Sequence, residues 1–378
     1  MRVGIKEAVA VCSLGDNRKS IIQNIKKEPD ITPIVFPFGR ETRKRNYKRI
    51  LQNKIDNPED FDAILQKITK QLIKKAKLTQ DMLDECALII GSTSMNIPCS
   101  EEIYKKSNEN MLPFIGYGKI GETLAKNLNI GGEVTLFLTA CTSSASALLY
   151  AQRGLQSKRF KRAIVVGFEF YNLLTMSGFE TLGLLSDDIC RPFDKERKGI
   201  VLGEGCAAML IEEIGANDGF FFEICGGDNT CDISSPTSHQ IEGTLIAKTI
   251  ENALKDASIY KDEITFIKAH ATGSYNNDLA EGNGLKLLFN NIPPILALKP
   301  YVGHTLGGCG TLELAILYFT LQEGFIPKTF GFKTKDEEID ITPNLEEIKI
   351  QSQGVCLVNH FGFGGNGTVL VIRYGGIW

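Results

Sequence analysis

Short apolar runs alternate with helical patterns along nearly the whole chain. Nine runs rich in Val, Ile, Ala, Leu and Phe read as strands: 8–12, 87–91, 134–138, 163–167, 207–211, 220–224, 266–269, 355–358 and 368–372. Helices read well at 242–257, where apolar positions recur at helical spacing, and at 313–322. The alternation predicts an α/β fold with buried sheets. The acidic, glycine-containing turn 212–219 is the best mid-chain boundary and predicts units 1–217 and 218–378. Each unit holds an early strand, a helix and an apolar strand ending in small polar residues (90–94; 267–273). Internal duplication and shared strand-turn chemistry both explain that echo.

Composition narrows the class. The 378 residues predict two domains at roughly 150 residues each, or one large duplicated unit. With 43% hydrophobic and 23% charged residues, disorder, collagen and coiled coil are excluded. No apolar run nears the ~18 residues that span a bilayer. The start of the chain (Arg2, Lys6, Glu7) lacks a signal-peptide core, which predicts a cytoplasmic protein without membrane association. Ten cysteines form no Cys-x-x-Cys pair, so no zinc or redox motif is indicated. Most are expected to be small buried hydrophobes. The net charge of −3 is uneven: between Arg40 and Lys77, twelve Lys/Arg face five acids, giving +7 there and −10 elsewhere. That stretch reads as a solvated helical face or as a docking patch for an acidic partner.

Three segments carry candidate chemistry. In Thr139-Ala-Cys-Thr-Ser-Ser-Ala-Ser-Ala147, Cys141 sits where a strand turns into a helix, and the N–H groups and dipole of a helix start favour a thiolate. Small neighbours leave room for a substrate. Of only four histidines, His270 ends the run 266–269 and His304 lies in the Gly-rich segment 299–310. Strand ends are where open α/β sheets place their sites; His239, in a Ser-rich loop, keeps a structural reading. The third segment, Asn359-His-Phe-Gly-Phe-Gly-Gly-Asn-Gly367, offers oxyanion N–H groups and aromatic walls, or else a tight hairpin. It is no Walker loop, and no dinucleotide fingerprint follows the first strand.

Together these residues resemble the β-ketoacyl-(acyl carrier protein) synthases of the thiolase superfamily, specifically the elongating, decarboxylating branch. Five motifs match in order: Thr139-Ala-Cys141; Arg191–Gly199 with Leu202-Gly-Glu-Gly205; Ala269-His270 with Asp278 and Glu281; Lys299 and His304 with Glu313; and Asn359–Gly365. The first 130 residues match weakly. The resemblance implies a five-layered αβαβα fold from two related halves, a homodimer, and a Cys-His-His site. Cys141 would carry the acyl chain, His270 and His304 would handle the malonyl unit, and Lys299 with Glu313 would support them. The N–H groups of Cys141 and Phe363 would form the oxyanion hole, with Phe363 as gate to the acyl pocket.

Thr272 and Ser274 would lie near the pantetheine arm, with Phe361, Gly362 and Gly364 as further substrate-binding positions. The implied partner is an acyl carrier protein bearing acyl- and malonyl-phosphopantetheine, docking on Arg45, Lys48 and Arg49 or on Lys195 and Arg197. No cofactor, metal or nucleic acid is implied. Three departures from the family pattern are Ala271 after the first histidine, His360 before Phe361, and Thr142-Ser143 after the nucleophile. Two other readings keep the fold: a non-decarboxylating thiolase, disfavoured because His360-Phe-Gly-Phe-Gly stands where a thiolase places a second cysteine, and a noncatalytic partner subunit, which would usually lack Cys141.

Overall fold

The computed structural model describes residues 1–50, 58–105, 116–215, 219, 221–350 and 352–376, leaving out the side chains of 58–61 and 102. The boundary expected between residues 217 and 218 lies outside the described residues. In chain order the strands are β1 (Val3–Cys12), β2 (Pro33–Phe38), β3 (Glu41–Lys48), β4 (Cys86–Gly91), β5 (Val134–Phe137), β6 (Arg162–Glu169), β7 (Leu202–Gly203) and β8 (Gly205–Glu213). They continue with β9 (Phe221–Cys231), β10 (Ile264–Lys268), β11 (Ile295–Leu296), β12 (Phe325–Ile326), β13 (Ile348–Lys349), β14 (Gly354–Phe361) and β15 (Asn366–Gly375). Each of the nine runs read as strands overlaps a strand of one ten-stranded sheet, ordered β11-β10-β14-β15-β9-β1-β8-β6-β4-β5.

The sheet has two five-strand runs of matching pattern. In β5-β4-β6-β8-β1 the first two pairings are parallel and the next two antiparallel. In β11-β10-β14-β15-β9 the same sequence of pairings recurs. The runs meet where β1 pairs with β9 at Gly4 and Glu223.

Successive side chains of a strand point to opposite faces, and the sequence uses both. Ile89 and Val165 face the helices 143–156 and 309–322, whereas Leu88 and Val166 face the helices 58–75 and 117–128. In the second run Cys356 and Leu370 face the same two central helices, while Leu357 and Val371 face the helices 244–257 and 275–288. The layering is therefore helix, sheet, helix, sheet, helix, with the central helices buried between the two runs. Helix 309–322 is apolar on every side, which is why it is buried almost end to end. The central helices cross closely: a Cβ at Gly310 would lie 2.3 Å from the Ala145 nitrogen.

The hairpin β2–β3 was not visible as strands. Its second strand reads Glu-Thr-Arg-Lys-Arg-Asn-Tyr-Lys and carries no apolar alternation. It is held instead by pairing across Gly39, whose φ of +60° suits a glycine, and by parallel pairing of Tyr47 and Lys48 with β7. Within the basic stretch, Glu41–Lys48 is thus a strand and Pro58–Lys75 a helix. Eight of the ten cysteines are buried and all ten are free thiols. Among the described residues no helix is long and apolar enough to cross a membrane.

Candidate active site

Cys141 lies in a 3-10 turn (Ala140–Thr142) that leads directly into the helix 143–156. Ala140 is forced into the left-handed region, φ +52°, a conformation that costs an L-residue about 1–2 kcal/mol and marks a constrained turn. The hydroxyls of the atypical Thr142-Ser143 pair hold it. Thr142 donates to the Thr139 carbonyl at 2.7 Å, and Ser143 donates to the Ala140 carbonyl at 2.6 Å while accepting the Thr139 N–H at 3.0 Å. On the far side Gly362 presses so close that a Cβ would come within 2.9 Å of the Cys141 nitrogen.

The thiol is 4% exposed, and burial pushes its pKa up to about 11, against the Phe363 backbone N–H and the Lys299 charge, which pull it down. The thiolate expected from the helix start is therefore not the resting form: loss of water outweighs the dipole. His304 Nε2 lies 3.1 Å from Cys141 Sγ, within reach of its proton.

Two loops bring the histidines to that sulfur. Glu281, on the helix 275–288, accepts the backbone N–H groups of His270 and Ala271, each at 2.8 Å, and an Asn359 amide N–H at 3.1 Å. Ala271, which stands where the family pattern has glycine, sits in the left-handed region at φ +42°. Asp278, one turn earlier, accepts the N–H of Phe193 at 2.9 Å and of Gly273 at 3.2 Å, tying the segment 191–199 to the His270 loop. Lys299 donates to the His270 carbonyl at 2.5 Å and to Glu313 at 2.9 Å, with its ammonium 3.4 Å from His270 Nδ1. An ammonium has no lone pair, so that nitrogen is an acceptor and the His270 proton sits on Nε2.

The rings of His270 and His304 meet edge to face at 5.1 Å. Burial first, then the Lys299 charge, holds both well below the ordinary imidazole pKa of 6.5. Both are therefore neutral near pH 7.

One cavity is lined by Cys141, His270, His304, Phe361, Phe363 and His239. Thr272, Ser274 and Gly362 also reach it, and the Thr272 and Ser274 hydroxyls are 2.9 Å apart. The half-buried Phe363 ring stacks on Phe179 at 5.3 Å. Gly364 is exposed, with φ +72° allowing the turn that follows Phe363. His239 lines the cavity rather than standing apart in its loop. Glu169 was missed by sequence reading; it accepts the N–H of Thr93 at 2.9 Å, Ser94 at 3.0 Å and Gly307 at 3.2 Å, joining the end of β4 to the His304 loop. A lone Glu at a strand end carries no sequence signal of that clamp.

His270, Cys309 and His360 bring three donor atoms within 4.8 Å of one another. The ammonium groups of Lys268 and Lys299 lie 3.3 Å and 3.4 Å from two of their nitrogens, so this cluster repels a cation.

The expected carrier-docking residues divide. Arg45 is bound by both carboxylate oxygens of Glu180, at 2.9 and 2.7 Å. Lys48 is 8% exposed and donates to the Asp30 carbonyl; Arg197 is 8% exposed and pairs with Asp336. Neither Lys48 nor Arg197 offers charge to an approaching partner, because burying an unpaired cation costs more than binding it inside the fold. Arg49 stacks over the Tyr171 ring at 5.0 Å, and Lys195 is exposed.

A buried cysteine facing two neutral histidines, in this layered fold, is an arrangement suited to thiolase-type acyl transfer. Residues 12–215 match the family described as beta-ketoacyl synthase, N-terminal domain, and residues 221–333 match beta-ketoacyl synthase, C-terminal domain. The chain belongs to the β-ketoacyl synthase family. It is 29% identical over 363 residues to the 3-oxoacyl-[acyl-carrier-protein] synthase 2 of Synechocystis, covering 89% of this chain and 87% of that one. A protein of the same name from Coxiella burnetii is 31% identical over 263 residues, 65% of this chain and 63% of the other. Among solved structures, a type II polyketide ketosynthase with its acyl-carrier protein superposes with TM-score 0.85 at 21% identity, covering 98% of each chain. A beta-ketoacyl synthase from Burkholderia phymatum superposes with TM-score 0.80 at 22% identity over 98% of this chain and 99% of that one.

Proposed function

We propose that the protein condenses an acyl group held on Cys141 with malonyl-(acyl carrier protein), releasing CO2 and free carrier and giving a β-ketoacyl-carrier product for fatty acid or related polyketide synthesis. The single observation carrying this reading is the 3.1 Å contact between His304 Nε2 and Cys141 Sγ beside a second neutral imidazole whose Nε2 holds its proton. In the acylating half-reaction His304 takes the thiol proton, and the sulfur attacks the carrier thioester carbonyl. The N–H groups of Cys141 and Phe363 hold the oxyanion. Collapse expels the carrier thiolate, which takes the proton back from His304.

In the second half-reaction the bond from the malonyl α-carbon to its carboxylate breaks. CO2 leaves, and the electron pair becomes an enolate whose oxygen accepts from the Nε2–H of His270 and from His304 once its ring proton has moved from Nδ1 to Nε2. Neutral imidazoles stabilise this oxygen without protonating the carbon. The enolate carbon attacks the acyl-cysteine, and Cys141 leaves as thiolate. Lys299 and Glu313 position His270, Thr272 and Ser274 receive the pantetheine arm, and Phe361, Gly362, Phe363 and Gly364 form the movable acyl-side wall.

The protein works in the cytoplasm as a dimer of two such chains, each of two related halves; the repeated strand pattern supports the halves. A second subunit of the same fold is the alternative partner, since a solved ketosynthase from Xenorhabdus doucetiae is in complex with its chain length factor. Intact mass spectrometry after mixing with an acyl-carrier thioester tests the reading: acyl addition at Cys141, followed by CO2 release and product on malonyl-carrier, is expected. No acylation would overturn it.

A further inference from the structure

Three buried groups behind the site have no part in the reaction above, and they touch one another. Lys268 ends β10, His360 lies near the end of β14, and Cys309 begins the helix 309–322. None of the three is exposed. Lys268 donates to Glu313 on one side, and its ammonium lies 3.3 Å from His360 Nε2 on the other. His360 Nδ1 lies 3.3 Å from Cys309 Sγ, which is 3.2 Å from the Cys141 carbonyl oxygen.

The direction of this chain follows from donor and acceptor counting. An ammonium only donates, so His360 Nε2 accepts and the ring proton sits on Nδ1. That proton points at Cys309 Sγ, leaving the Cys309 S–H to donate to the nucleophile's own carbonyl. The charge count is equally specific. Glu313 gives one oxygen to Lys268 and the other to Lys299, so one carboxylate serves two buried ammonium groups. Burial works against the Lys268 charge, and the Glu313 carboxylate upholds that ammonium.

We propose that Lys268, His360 and Cys309 form a positioning relay for Cys141: Lys268 fixes the His360 tautomer, and the chain ends on the Cys141 carbonyl and holds the nucleophile turn. This rests on the condensing role above and explains the His360 departure. The groups facing the imidazoles are Lys268 on β10, Lys299 before His304, Glu281 on the helix 275–288, Glu313 and Cys309 on the helix 309–322, and Cys141. The Lys268 charge acts on His270, His304 and His360 in the same downward sense as burial.

The test compares Lys268→Met, His360→Ser, Cys309→Ala, Cys309→Ser and the double variant Lys268→Met/His360→Ser. Each is read as kcat, KM and the pH profile of condensation, per site able to be acylated. Misplacing a reacting group by about 1 Å costs up to ~10²-fold, so Lys268→Met and Cys309→Ala are each expected to lose roughly tenfold or more in kcat with KM little changed. Only Lys268→Met moves the acid limb to higher pH, because removing an ammonium makes the imidazoles easier to protonate. Cys309→Ser keeps a donor to the carbonyl and restores the rate. The double variant loses no more than the worse single change, as expected within one connected network. Wild-type kcat in both Lys268→Met and Cys309→Ala, or losses that multiply in the double variant, would overturn the relay. The two cysteine substitutions are small enough to leave a folded protein if Lys268→Met is not. Acylation of the wild-type chain is measured alongside, and its absence would instead refute the condensing role.

Discussion

The nucleophile turn and the histidine loops solve the same problem with different materials. Both place an alanine in left-handed backbone beside the reacting side chain, Ala140 before Cys141 and Ala271 after His270. Both hold that side chain neutral by burial, which raises the thiol and lowers the imidazoles. The restraints differ. Hydroxyls and backbone carbonyls pin the turn, whereas the carboxylates Glu281 and Glu313 and the Lys299 ammonium pin the loops. Around the turn the Lys299 charge pulls the thiol pKa down and Glu169 pushes it up, each less than burial does, which suits a sulfur proposed to pass between thiol, thiolate and thioester. Fixed charge suits loops that face an enolate. The two half-reactions should therefore be separable by mutation.

The largest effect falls on the sulfur. Cys141→Ala should remove acyl transfer and condensation to background, with little loss of stability, since a one-atom truncation at a turn lies near the small end of core changes. Intact mass with acyl-carrier and product analysis check it, and condensation by this variant would refute the assignment. Next come the histidines. Losing a transition-state hydrogen bond costs about 10²–10³ in rate, so His270→Ala should lose that much in CO2 release while Cys141 still becomes acylated. His304→Ala should show the same loss and slower acylation, because it also takes the thiol proton. His304→Asn should keep some condensation, as an amide still donates. Equal damage to both half-reactions by His270→Ala would break the comparison.

Much of this was legible beforehand because the site is written in local patterns. The Cys141 turn, the paired Asp278 and Glu281 and the Gly-rich segment after Asn359 are contiguous in sequence, and the layer-forming strands are apolar runs. What stayed hidden depends on who meets whom. Lys268 gives no sign in sequence that it shares Glu313 with Lys299, nor Cys309 that it reaches back to Cys141. His360 was visible only as a departure. Arg45, Lys48 and Arg197 were counted as available charge, yet Arg45 and Arg197 pair with carboxylates more than a hundred residues away and Lys48 is buried against the Asp30 carbonyl. The thiolate expected at the helix start failed for a similar reason: the dipole is local and readable, but the burial that opposes it is made by distant segments.

The sulfur side can be sharpened without mutation. With the Cys141 pKa near 11, the thiolate fraction rises about tenfold per pH unit across pH 7–9. Iodoacetamide alkylation of Cys141 should climb about a hundredfold over that range with no plateau, since the thiolate is the reacting form. A plateau below pH 8 would show a resting thiolate–imidazolium pair, and the acylation step would then start from a charged sulfur.

The smallest effect should fall on both half-reactions alike, because each begins with a carrier reaching the same cavity. Of the basic residues considered, Lys195 is exposed and lies in the 191–199 segment that Asp278 anchors to the His270 loop. An exposed ion pair contributes about 0.2–1 kcal/mol, so Lys195→Glu should raise KM for acyl- and malonyl-carrier substrates by about two- to fivefold. KM for small thioester mimics should stay unchanged. Screening acts over ~8–10 Å near physiological ionic strength; added salt should therefore raise the wild-type KM and leave the variant nearly flat. Arg197→Glu is a different experiment: it puts a carboxylate against Asp336 in a buried site, and the expected readout is a lower melting temperature. If Lys195→Glu raises KM equally for carrier and mimic, the residue shapes the cavity mouth and the carrier docks elsewhere. If only one half-reaction responds, the two carriers approach differently, and the division between the nucleophile turn and the histidine loops extends out to the surface.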